Sequence, residues 1–97
     1  MFVVLLHYKQ PLEKIEQALE AHCRFLEDGF AKKKFIASGR KKPRTGGVIL
    51  CQAATRQEVE QLLAKDPFQL QNLADYELIE FEANYYNNGW HPFAMPR

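Results

Sequence analysis

The 97-residue chain suits one domain with one core, since domains usually run to about 100–150 residues and chains of this size bury roughly 60–70% of their unfolded surface. Apolar residues make up 46% and charged residues 26%, close to a soluble average, which excludes a disordered or low-complexity chain. The net charge of +1 supplies no global pull toward nucleic acid or membrane, and Cys23 and Cys51 are too few for a disulfide scaffold and lack CxxC spacing.

The first apolar run, residues 2–6, is five residues long with no basic residue before it. A signal peptide needs a longer apolar region, and a membrane helix needs about 20 apolar residues. Together with two free thiols, this gives the expectation of a cytoplasmic protein. Residues 2–8 read as a strand, apolar on both faces. Pro11 then opens a helix whose stripe is Leu12, Ile15, Leu19, His22 and Leu26, at steps of three and four, with Glu13, Lys14, Glu16 and Glu20 opposite. Gly29 is the expected stop.

Residues 35–38 form a short strand ending at Gly39, and a basic loop from Arg40 to Arg44 leads through Gly46 and Gly47 into a strand over residues 48–54. Thr55 and Glu58 have capping-box spacing, and the helix they start turns Val59, Leu62 and Leu63 inward as far as Lys65. Asp66-Pro67 is a second helix start, for a short turn through Leu73. A long last strand is expected over residues 76–86, followed by a tail over 87–97 that carries Trp90, His91 and Phe93. The order is that of an α+β, ferredoxin-like βαββαβ domain over residues 1–86: a four-stranded antiparallel sheet with two helices on one face. The strands alternate apolar residues on both faces, and one chain has no third layer. The expected partner for the open face is a second copy, making a homodimer.

Two features bear on chemistry. His22 fills a core-facing slot where the pattern asks for leucine. It reads either as a packed histidine with a backbone hydrogen bond or as a pocket histidine tuned by burial and a neighbouring acid. Asp66 is the candidate acid, although its place before Pro67 also explains it as a helix cap; the two roles are compatible. The second feature is the stretch from Lys32 to Arg56, which holds eight basic residues and none of the twelve acids. It reads as a solvated face or, at Arg40 and Arg44 beside Ser38, Gly39, Gly46 and Gly47, as a site for a carboxylate or phosphate. Nucleic acid is disfavoured, because no stacking aromatics are interleaved with the charges. No metal site is expected, since His7, His22 and His91 are far apart and none pairs at helical spacing. Neither cysteine has a local activating partner.

His22 in the first helix, Phe35-Ile36-Ala37-Ser38-Gly39 with Arg44-Thr45-Gly46-Gly47-Val48-Ile49, the Glu58 helix and Asp66-Pro67-Phe68 stand together in one order. In this the chain resembles the YCII-related (YciI-like) family of small dimeric α/β-barrel proteins, from Met1 to about Tyr85. The resemblance implies a homodimer of ferredoxin-like protomers, each with a pocket holding a His–Asp pair. Those roles fall on His22 and Asp66, with Ser38 and Gly39 on the pocket wall. One branch of the family is linked to dechlorination of chlorinated hydroquinones, and the wider group includes muconolactone isomerases and monooxygenases. The chain departs from many relatives in having Arg40 where they have proline. The expectation is therefore a catalytic, cofactor-free domain. His22 and Asp66 would do acid/base work of isomerase, lyase or dehydrohalogenase type. Ser38, Gly39, Arg40, Arg44 and Phe68 would bind a small anionic or aromatic molecule. The competing readings are a non-catalytic ligand-binding module and a dimerisation domain in which His22 and Asp66 merely pack.

Overall fold

A computed structural model describes residues 1–87; the tail residues Trp90, His91 and Phe93 singled out above lie outside the described residues. The elements run β1 (Phe2–Tyr8), α1 (Leu12–Ala31), β2 (Phe35–Arg40), β3 (Gly46–Cys51), α2 (Arg56–Leu63), α3 (Pro67–Leu70) and β4 (Ala74–Glu80). The four strands form one antiparallel sheet in the order β2-β3-β1-β4, the ferredoxin-like arrangement expected from the sequence, with the four-residue α3 added to the two main helices.

Alternation along β1 puts Phe2, Val4 and Leu6 on the helix side, buried with Ile49 and Cys51 of β3. Ile15 and Ala18 of α1, Val59 and Leu63 of α2 and Phe68 of α3 close this single core. Val3 and Leu5 face the other way with Val48, Leu50 and Ile79, and they stay half-buried or exposed.

The structure departs from the sequence reading most clearly at Leu12, at the end of α1 and at the end of the last strand, each for a physical reason. Leu12 is exposed, and the buried line of α1 is Ile15, Ala18, His22 and Gly29. Gly29 does not stop α1; it is a packing site. A Cβ there would stand 2.1 Å from the Phe35 ring, so the glycine lets β2 reach the helix. The helix ends two residues later, at Ala31, in a Schellman motif. Lys33 takes the left-handed conformation (φ 60°), its N–H bonds the Phe30 carbonyl at 2.9 Å, and the Lys34 N–H bonds the Gly29 carbonyl at 3.0 Å.

The last strand ends at Glu80, short of the expected residue 86. β4 is an edge strand whose only neighbour among the described residues is β1, and β1 begins at Phe2. The ladder closes with the Phe81 N–H on the Met1 carbonyl at 2.9 Å, and apolar alternation alone cannot extend a strand that has no partner.

The pairing of β2 with β3 contains a bulge between Phe35 and Ala37. Phe35 pairs with Cys51, yet Ser38 pairs with Ile49 and Arg40 with Gly47. One extra residue shifts the alternation, so Ser38 and Arg40 share the helix side of the sheet with Phe35.

Candidate active site

Asp66 caps α3, and its Oδ1 accepts the Phe68 N–H at 3.0 Å. The same oxygen accepts Nδ1 of His22 at 2.7 Å, and Oδ2 accepts the Tyr76 hydroxyl at 2.5 Å. Asp66 is wholly buried, and an acidic group can be held there only with its oxygens satisfied, as these three donors do. A carboxylate accepts and cannot donate, so the contact places an imidazole hydrogen on Nδ1, and in the neutral ring the lone pair is on Nε2.

The ring plane of His22 is fixed as well. Phe68 lies flat on it, with centroids 3.9 Å apart and planes within 3°. Phe25 packs beyond at 6.0 Å, and Tyr8 meets Phe68 edge-on. The turn that makes Asp66 a cap thus also delivers Phe68 to the imidazole, two residues along the same chain.

Tyr76 had no assigned role in the sequence reading. It stands at a core-facing position of β4, paired across from Leu6, where a phenol needs a partner for its hydroxyl. Burial first, and then the facing Asp66 carboxylate, pushes its pKa far above the ordinary tyrosine range, so it remains a donor to Asp66.

A cavity of about 220 Å³ opens between α1, α3 and the β2–β3 end of the sheet. His22, Ser38, Gly39, Arg40, Arg44 and Phe68 all line it, and Asp66 lies behind His22. The wall also includes Tyr8 and Cys23, which the sequence reading did not place there, with apolar sides from Leu6, Leu19 and Leu26. A second, more polar depression of about 380 Å³ lies beyond Tyr76, lined by Arg56, Glu60 and Asp75 among others; none of the expected site residues borders it.

The basic stretch is less bare than its sequence suggests, because acids from other segments fold onto it. Lys32 pairs with Asp28, Lys34 with Glu58, Arg44 with Glu16 and Arg56 with Glu60. Lys41 contacts Nδ1 of His7 at 3.1 Å. Arg40 is exposed on the cavity wall and has no acidic partner among the described residues. The hydrogen bond to Glu16 is the main cause that raises the Arg44 pKa, so its guanidinium is a permanent charge in the wall.

Cys51, at the end of β3, is buried in the core, and burial pushes its thiol up to about 11. Cys23 is exposed.

No curated protein matches the chain in sequence. Among solved structures it is similar to 5-chloro-2-hydroxyhydroquinone dehydrochlorinase from Burkholderia phenoliruptrix AC1100, determined in complex with 2,5-dihydroxybenzoquinone. The TM-score is 0.70 at 22% identity, over 84% of this chain and 93% of that one, which is a likeness of fold. The YCII-related domain profile matches residues 1–82, and with four-fifths of its length under that profile the chain belongs to the YCII-related family.

Proposed function

We propose that this protein is a small-molecule enzyme that works by proton transfer, with Nε2 of His22 as the acid/base group and Asp66 as its orienting partner. One observation carries the reading: a histidine on a cavity wall has Nδ1 taken by a wholly buried acid, and no described residue bonds its Nε2. Phe68 holds the ring plane, while Ser38, Gly39, Arg40 and Arg44 make the polar wall for the substrate. The cavity lies below the roughly 300–1,000 Å³ typical of drug-sized ligands, which suits a single substituted ring.

The dehydrochlorinase fold likeness supports elimination of hydrogen chloride as the first reaction to test. Nε2 takes the substrate proton, the electron pair left behind forms a new π bond, the carbon–chlorine bond breaks and chloride departs. Imidazolium next to Asp66 then returns its proton to solvent. Chloride release from 5-chloro-2-hydroxyhydroquinone tests this directly. The wild type is expected to release chloride, and His22→Ala is expected to lose about 10²–10⁴-fold while keeping its fold. Turnover unchanged in His22→Ala sinks the mechanism; ligand binding without turnover in the wild type favours a binding module.

We assign the working unit as a homodimer packed through the open sheet face, in a cytoplasmic setting that keeps both thiols reduced. Val3, Leu5, Val48, Leu50 and Ile79 form an apolar centre on that face, and no described helix covers it. Light scattering at micromolar concentration is expected to give twice the chain mass, and Leu5→Glu is expected to give a monomer. A monomeric wild type removes this part of the proposal.

A further inference from the structure

Arg44 Nε is buried and has no hydrogen-bond partner, the one such side-chain nitrogen or oxygen among the described residues. The guanidinium around it is held in place. Nη1 donates to Glu16 Oε1 at 2.9 Å, the Tyr8 hydroxyl stands beside it, and the side chain is only one-fifth exposed. The guanidinium thus lines the cavity partly desolvated and held in one orientation, conditions under which a charge-assisted bond to an anion is strong.

We infer that Arg44, pinned by Glu16, is the oxyanion-binding group of this cavity and that the ligand is a small organic anion, a carboxylate or phenolate on an apolar, ring-sized body. This rests on the cavity being a ligand site, as in the reading above, and adds which end of the ligand goes where. The part of the guanidinium that faces the cavity, held from the side by Glu16, receives the oxyanion in the fork geometry that suits a carboxylate. Leu6, Leu19 and Leu26 with the rings of Tyr8 and Phe68 receive the body. Glu16 and His22 lie on the same helix, six residues or about 9 Å of rise apart, so α1 itself sets the spacing between the anion anchor and the imidazole.

The test reads binding and not turnover, so a failure of the proposed chemistry leaves it intact. Calorimetric titration of the full chain with sodium benzoate is compared with benzamide, a neutral molecule of nearly the same shape. Benzoate is expected to bind at least tenfold more tightly than benzamide. Arg44→Gln is expected to lose about tenfold or more in benzoate affinity. Arg44→Lys is expected not to recover it, since an ammonium keeps the charge but not the planar fork. Lys42→Gln, at an exposed basic residue of the same loop that does not line the cavity, is expected to stay within about threefold. Circular dichroism confirms that each variant is folded, and the benzoate–benzamide comparison needs no variant at all. Four results overturn the inference: equal binding of benzoate and benzamide, no benzoate binding at millimolar concentration, undiminished affinity in Arg44→Gln, or full recovery by Arg44→Lys.

Discussion

The hydroxyl of Tyr76 donates to Oδ2 of Asp66 at 2.5 Å, while the other carboxylate oxygen holds His22. Removing the hydroxyl leaves half of a wholly buried acidic group without a donor. Tyr76→Phe is therefore expected to cost about 1–3 kcal/mol in urea denaturation at neutral pH. The effect should also depend on pH. The folded-state pKa of Tyr76 is raised above its unfolded value near 10, so this contribution is complete below about pH 10 and is lost as pH rises beyond it. The stability gap between wild type and Tyr76→Phe should shrink on going from pH 9 to pH 11. A gap that does not change with pH contradicts the assignment of the proton to the tyrosine.

Gly29→Ala reverses the usual rule for helices. At an exposed interior position the change gains about 1 kcal/mol. Here the new methyl meets the Phe35 ring at 2.1 Å, and overpacking of this kind costs about 1–3 kcal/mol. Thermal denaturation should show a lower Tm for Gly29→Ala, with partial recovery when Phe35→Leu is added. A raised Tm in the single variant would mean that β2 moves away from α1 freely.

Much of the architecture was legible because it rests on local periodicity. The strand–helix order, the Thr55 cap and the Asp66-Pro67 start each follow from a few adjacent residues, and His22 stood out as a polar residue in a leucine slot. What escaped depends on residues distant in sequence. Tyr76 lies 10 residues from Asp66 and on a different element, and only the folded sheet brings its hydroxyl to the carboxylate. The bulge after Phe35 has no mark in the sequence, yet it decides that Ser38 and Arg40 share the cavity side. Glu16 lies 28 residues from Arg44, so the basic stretch looked unpaired when read in one dimension. The length of β4 was misjudged for the same reason: alternation describes what a strand could bury, and its neighbour decides where it ends.

The two cysteines should separate cleanly by reactivity. Cys23 is exposed on the cavity wall, whereas Cys51 is buried with its thiol pushed up to about 11 by burial. The thiolate is the reactive form, so at pH 8 a disulfide reagent such as Ellman's should modify one thiol per folded chain and two after denaturation. Cys23→Ser should abolish the fast reaction, and sodium benzoate in the cavity should slow it. Two fast thiols in the folded protein would show that the sheet opens readily over Cys51.

Glu58 closes α2 at its start through two contacts. Its Oε1 accepts the Ala54 N–H at 3.1 Å, and Oε2 pairs with Lys34 at 2.7 Å. The bond to Lys34 first, and the backbone bond second, lower its pKa below the ordinary glutamate value of about 4.3. A carboxylate with a lowered folded-state pKa contributes stability above its unfolded value and loses it as pH falls through the folded one. Glu58→Gln keeps an acceptor for Ala54 but loses the charge. Both groups are partly exposed, so the difference at pH 7 should be small, about 0.2–1 kcal/mol, and smaller in high salt. Urea denaturation at pH 7, 5 and 3 should show that difference steady between the first two and closing at the third. A difference that persists at pH 3 would assign the effect to side-chain packing and not to the Lys34–Glu58 charge pair.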